Sequence, residues 1–274
     1  MSTIFNISDK IKLETSPDPF FLLDNYSGAA AAYSLRLLDS TYSGSAVRVR
    51  RASDNAEQDI AFANNELDTA TLETFASGTN AFVTTWYDQS GNGFDITQTT
   101  AFKQPKIVSI GSTITDGTKP SVEFNNAQGL NTTANISNAS NYYPFYVRSV
   151  AGGSGAYIWD SEIGRVLIER TNNSAYYDQT NSFEGSALTS SYRLIHMELN
   201  STTGGKVYEN GVNTQSGLAY AQYPMSSQTA LGSRFDVDAS YLTGKIQEFI
   251  LYNTDQSSTR TGIETNINNF YSIY

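Results

Sequence analysis

The sequence predicts an all-β sandwich, and three observations carry that prediction. Short apolar runs alternate with turn residues, aromatic and Thr residues abound, and an Asn-Gly pair separates two strand-like runs. The 274 residues include 18 Tyr and 14 Phe, 12% aromatic overall, whereas a helical chain would be richer in Glu, Lys and Leu. A chain of this length buries a full core as one soluble domain. With 17 Lys and Arg against 27 Asp and Glu the formal charge is −10, which repels a phosphate backbone and argues against nucleic acid and anionic membranes as partners. The absence of Cys excludes disulfides, thiolate nucleophiles and zinc-thiolate sites, and suits a reducing compartment. The first 20 residues lack the basic start and apolar core of a signal peptide, and no apolar run approaches the roughly 20 residues of a membrane span, so membrane insertion is not expected.

In chain order, residues 1–24 form a polar arm in which Pro17 and Pro19 favour an extended path, suited to anchoring or to lying on the sandwich as a terminal strand. Residues 25–274 form the sandwich domain. Four alanines and the spacing of Tyr33 and Leu37 predict a short helix near 28–38. Val47 and Val49 alternate with Arg48 and Arg50, placing valines on one face of a strand and arginines on the other, where they can meet carboxylates of a neighbour. Further strands are expected at 81–87, 106–110, 121–124, 143–150, 156–160, 165–169, 193–199 and 206–208. Asn210-Gly211 between Tyr208 and Val212 predicts a type I′ hairpin. In the strand Gly244 to Asn253, alternation sets Ile246, Glu248 and Ile250 opposite Phe249 and Leu251. The chain closes with a helix near 258–271, capped by Ser257 or Ser258, with Ile263, Ile267 and Phe270 on one face.

The stretches Ala32 to Arg36, Val47 to Ile60 (VRVRRASDNAEQDI), Trp86 to Gly93 (WYDQSGNG) and Gln104 to Val108 form a connected signature. It resembles the N-terminal half of the catalytic domain of α-L-arabinofuranosidase B, and more closely the related concanavalin A-like, laminin G-like jelly-roll modules of bacteriophage virion and tail-fibre proteins. The resemblance implies a jelly-roll sandwich. From its phage side it implies a virion structural protein (a fibre, knob or capsid decoration) assembled in the host cytoplasm, a homo-oligomer docked to other virion proteins through its arm and adhesive to cell-surface polysaccharide. From its enzyme side it implies a glycoside hydrolase acting on arabinose-containing glycan. A purely architectural role without ligand is the third reading. The family's catalytic glutamate follows a Phe-Asp-Tyr-Gly-Asn-Ala-Glu type stretch, whose nearest counterpart here runs from Ile158 to Gly164 with different carboxylate spacing, so neither catalytic position is matched.

Hydrolysis with retention needs two carboxyls about 5–5.5 Å apart. Asp160 and Glu162, with Asp236 or Asp238, are the candidates. Trp86 and Tyr87 beside Asp88 and Asn92 have the composition of a sugar platform, an aromatic face flanked by hydrogen-bonding groups; equally, Trp86 can be core and Asp88 and Asn92 can tie a Gly-bracketed turn. Trp159, Tyr176 and Tyr177 join them as candidate ligand contacts, with Tyr142, Tyr143, Tyr157, Tyr220 and Tyr223 able to line a rim or to pack in strands. Asp236 and Asp238 alternate onto one side of an extended segment and could take Ca²⁺; otherwise no cofactor is expected. His196, the one histidine, sits in a strand pattern and cannot form a histidine metal cluster.

Overall fold

The computed structural model describes residues 21–125, 127–137, 139, 141–150, 157–162, 167–170, 174–177, 182–184, 191–220 and 227–274. Pro17, Pro19 and most of the expected arm therefore lie outside the described residues. Leu22 and Leu23, at the arm's expected end, open a short helix, Leu22–Asn25, and are buried against the C-terminal helix and the strand before it.

The architecture is an antiparallel β-sandwich. One layer runs through Ala29–Ser34, Gly244–Tyr252, Tyr143–Val150, Arg193–Asn200 and Gly204–Glu209. The other runs through Glu57–Ile60, Val47–Arg51, Ala81–Trp86, Ile96–Thr97, Leu130–Thr132, Thr229–Leu231 and Tyr157–Ser161. The strands Lys106–Ser109 and Val122–Phe124 carry the hydrogen bonding from one layer to the other. Between the layers, Trp159 stacks on Phe249 with centroids 4.7 Å apart, and Tyr33 lies within 6.4 Å of Trp86 and 6.2 Å of Trp159. Such aromatic burial supplies much of the apolar area a sandwich removes from water.

The expected helix near 28–38 is instead the strand Ala29–Ser34, every residue of it buried. Alanine's helix propensity is weak and tertiary context overrides it. Ala30 and Ala31 face the main core while Ala29 and Ala32 face a second one, and small side chains let the strand pass between them. One edge pairs with Gly244–Tyr252, Tyr33 opposite Phe249. The other edge receives the turn after Trp86, described below.

The second core lies under the C-terminal helix Arg260–Tyr271, whose Ile263, Ile267 and Tyr271 are buried and whose Phe270 packs alongside. Thr259, not Ser257 or Ser258, precedes its first turn, and no side chain caps it. Glu248 sits beneath this helix with no exposure and is bridged by Arg36 Nε at 2.8 Å and Nη2 at 3.0 Å, by Ser34 Oγ at 2.7 Å and by Tyr271 OH at 3.2 Å. A buried carboxylate is tolerated because its oxygens are so fully engaged. The alternation expected in this strand shifts once: the register slips between Val147 and Arg148, so Ile246 joins Phe249 and Leu251 in the main core while Ile250 turns to the helix.

The Asn210-Gly211 hairpin forms as expected, with φ of 50° and 77°, both in the left-handed region a type I′ turn requires.

Candidate functional site

The site is built on the outer face of the second layer. The alternation of the strand Tyr157–Ser161 sends Trp159 inward and Asp160 to the other side, and Glu162 follows in the turn after the strand's last residue. Thr229–Leu231 pairs alongside, Asp160 opposite Ala230, and leads into a loop that folds back over Asp160. Asp160 Oδ2 accepts the Phe235 N–H at 3.0 Å, a contact between residues 75 apart in sequence. Further backbone bonds close the loop: Gly232 N–H to Ile158 O at 2.8 Å, Leu242 N–H to Gly232 O at 2.7 Å and Tyr157 N–H to Ser240 O at 3.2 Å. At its tip Val237 is buried and adopts φ 52°, a conformation rare for a β-branched residue, held by packing against Gly129.

The strand and the loop carry four carboxylates, Asp160 and Glu162 on the one and Asp236 and Asp238 on the other. Asp160 is buried, whereas Glu162 is exposed and accepts a hydrogen bond from the Ser227 hydroxyl. Asp236 pairs with both Arg234 Nε, at 2.9 Å, and Arg234 Nη2, and this ion pair holds its carboxyl below the ordinary range. Asp238 meets Lys103 Nζ at 3.0 Å. The two aspartates expected as a calcium pair are therefore each engaged by a cation, and among the described residues no cluster of three metal-ligating side chains occurs.

The aromatic candidates fall elsewhere. Trp86 and Trp159 have no exposed surface and present no ring to a ligand. Asp88 accepts the N–H groups of Ala32 at 2.8 Å, Ser90 at 2.9 Å and Phe94 at 3.0 Å, while Asn92 Nδ2 donates to Ala29 O at 3.0 Å and Ala30 O at 3.1 Å. The Trp86 to Gly93 turn thus closes the open edge of the alanine strand, which is why it needs an acceptor at 88 and an amide at 92. Tyr87 does reach the surface: its hydroxyl donates to Asp59 at 2.6 Å, and burial first, then that bond, pushes its pKa up to about 12. Tyr176 and Tyr177 lie on the strand Ser174–Tyr177, opposite Ile168 and Leu167, and Tyr223 lies outside the described residues. Tyr142, Tyr143 and Tyr220 are buried. His196 is buried and stacked on Phe145, centroids 3.8 Å apart, far from any role as a ligand cluster.

Signals missed in the sequence are Arg234 and Ser227. Both are single polar residues whose partners, Asp236 and Glu162, acquire meaning only once the loop is folded.

Comparison with known proteins bears on the same strand. Residues 24–158 match the family model described as "Alpha-L-arabinofuranosidase B, catalytic". The chain is 42% identical over 71 residues to probable α-L-arabinofuranosidase B of Aspergillus fumigatus, covering 25% of this chain and 14% of that one, and 39% identical over 71 residues, with the same coverage, to α-L-arabinofuranosidase B of Aspergillus oryzae. The chain thus matches only a small part of these relatives. In structure it superposes on an arabinofuranosidase complexed with arabinofuranosyl-α-1,2-xylobiose with TM-score 0.71 and 17% identity, covering 93% of this chain and 65% of that one. A GH54 α-L-arabinofuranosidase soaked with a cyclic sulfate inhibitor gives TM-score 0.67 over the same shares. These matches correct the phage reading: they are to fungal α-L-arabinofuranosidases and to arabinofuranosidase structures, so the expectations of a virion protein, of virion partners bound through the arm in a homo-oligomer, and of assembly into a particle in a host cytoplasm are withdrawn. The chain is similar to the α-L-arabinofuranosidase B catalytic domain in sequence over residues 24–158 and in fold over nearly its whole length.

Proposed function

We propose that this chain is a glycoside hydrolase of the α-L-arabinofuranosidase type, and that its reacting carboxylates are Glu162 and Asp236. The observation that carries the reading is that the Arg234 to Asp238 loop, with its two carboxylates, is tied to the Asp160 strand by the Phe235–Asp160 bond. Glycoside hydrolysis by the two-carboxylate route requires a carboxylate pair from separate elements flanking the scissile bond. Asp160, buried under the loop, fixes its position. Glu162, exposed and oriented by Ser227, and Asp236, oriented by Arg234, face the solvent side. The resemblance supplies the sugar: an α-L-arabinofuranosyl unit on a glycan.

Release of nitrophenol from 4-nitrophenyl α-L-arabinofuranoside tests this. The native chain turns the substrate over, and Glu162→Gln and Asp236→Asn each lower kcat by at least about 100-fold, the scale of losing an acid–base group. Azide restores turnover in whichever variant has lost the nucleophile. A chain that binds the substrate without release, or variants with native kcat, would refute the assignment. The Asp236–Arg234 ion pair favours a second reading, recognition of the arabinofuranosyl group without cleavage, because a paired carboxylate is a poor proton donor. Binding by calorimetry with no nitrophenol release is its signature.

A further inference from the structure

Gly129 is buried and stands just before the strand Leu130–Thr132, whose Leu130 pairs with Leu231 at the root of the Arg234 to Asp238 loop. Its backbone is fastened on both sides: the N–H donates to Lys103 O at 3.1 Å, and the carbonyl accepts a bond from Gln98 Nε2 at 3.2 Å. Gln98 is itself buried and held, its carbonyl by Gln104 Nε2 at 2.8 Å and its side-chain oxygen by the Thr100 N–H at 2.9 Å. The loop sits against this anchored backbone. A Cβ built on Gly129 would overlap Ser233 Oγ and come within 2.9 Å of Ser233 Cβ and 3.1 Å of Val237 Cγ1. Gly129 does not adopt a left-handed φ, so alanine suits its backbone and the conflict is steric alone. Ser233 and Val237 are buried, so neither side chain swings aside into solvent. The loop is the partner that yields: Val237 holds φ 52°, a strained conformation, and the middle of the loop rests on the Phe235–Asp160 bond and the largely exposed Lys103–Asp238 ion pair.

We infer that Gly129 is a positioning residue for the proposed reaction: by leaving room for Ser233 and Val237 it lets the loop seat against the Asp160 strand, and that seating sets where the Asp236 carboxylate stands. Asp236 follows Phe235 directly and is gripped by Arg234 on the same loop, so a loop lifted from Asp160 carries the carboxylate and its cation away together. The ion pair survives while its place relative to the strand changes. A displacement of about 1 Å at a reacting group costs on the order of 100-fold in rate. The role of Asp236 rests on the proposed function, whereas the seating of the loop is measured without turnover.

Gly129→Ala adds one methyl group, and Ser233→Gly removes two of the three atoms it strikes, so the pair forms a double-mutant cycle read by amide exchange and by turnover. In Gly129→Ala the Phe235 N–H exchanges about tenfold or more faster than in the native chain, while the core amides of Ile195 and Phe249 exchange as in the native chain. On 4-nitrophenyl α-L-arabinofuranoside its kcat falls about 10-fold or more, with KM within about threefold of native. In the Ser233→Gly background the same methyl changes both readings by less than about threefold. Native exchange at Phe235 overturns the seating, and faster exchange with native kcat overturns the positioning role. An equal loss in both backgrounds overturns it as well, since the methyl then acts through something other than Ser233, and core amides that speed up alongside Phe235 reduce the effect to general destabilisation. If the native chain releases no nitrophenol, it is the hydrolase reading that fails, and exchange at Phe235 alone decides whether Gly129 seats the loop.

Discussion

Asp88 shows how one side chain can fix a fold while looking like a ligand contact. It accepts three backbone N–H groups from two segments, a buried bond from Ala32 on one side and part-buried bonds from Ser90 and Phe94 on the other. Removing the acceptor leaves the buried Ala32 donor unsatisfied at about 1–3 kcal/mol and takes a partner from the other two. Asp88→Ala is therefore expected to lower unfolding free energy by about 2 kcal/mol in urea melts, and a loss below about 1 kcal/mol would contradict this role. The same residue explains where sequence reading stops: an aromatic beside Asp, Asn and Gly is the composition of a sugar platform and of a tight turn alike, and the choice is made by the alanine strand more than 50 residues earlier. Asp160 and Glu162 were legible as candidate carboxylates because a strand pattern runs into them. The tie between Asp160 and the Arg234 to Asp238 loop was not, since it depends on the register of Thr229–Leu231 and on a bond spanning 75 residues.

At the scale of elements, the strands with alternating or continuous apolar runs were readable from their period, and so was the C-terminal helix from its Ile263 and Ile267 spacing. The alanine strand was not, because its residues are poor in side-chain information and its identity is imposed by two cores. The seam between the C-terminal helix and the strands Arg193–Asn200 and Gly204–Glu209 carries two titrating groups that oppose each other. Burial pushes Glu264 up to about 7, with Arg260 beside it pulling the other way, and burial pushes His196 down to about 3 although its Nδ1 bonds the Pro144 carbonyl at 3.0 Å. The groups facing them are Arg260 on the helix, Glu198, Lys206 and Tyr208 on the strands, and Tyr274 at the terminus. For Glu264 the folded state holds the proton more tightly than the unfolded chain, so its contribution is fully present below the ordinary glutamate range and is lost as pH rises toward about 7. For His196 the folded state rejects the proton, so its contribution is present above the ordinary histidine value and is lost as pH falls from there toward about 3. Urea midpoints measured from pH 4.5 to 6.5 separate the two: Glu264→Gln leaves stability rising with pH, whereas His196→Phe leaves it falling. Parallel profiles for native and both variants would show that neither group titrates as its burial requires.

At the scale of the whole molecule, the sandwich serves the site by burying the inner side of the second layer as core and by holding the Arg234 to Asp238 loop against the Asp160 strand. The fold class was readable from composition, turn spacing and the Trp86 to Gly93 signature, because a sandwich imposes its period on every strand. The biological setting was not: the same jelly-roll pattern serves several kinds of protein, and fold analogy alone carried the phage expectation that the arabinofuranosidase matches replace. The central claim is that arabinofuranosyl glycan is handled on the outer face of the second layer, at Glu162 and the Arg234 to Asp238 loop. The most direct measurement is a crystal structure of the Glu162→Gln variant soaked with arabinofuranosyl-α-1,2-xylobiose. The account predicts the arabinofuranosyl ring between residue 162 and Asp236. Ligand bound at the Trp86 to Gly93 turn, or on the face covered by the C-terminal helix, would contradict it.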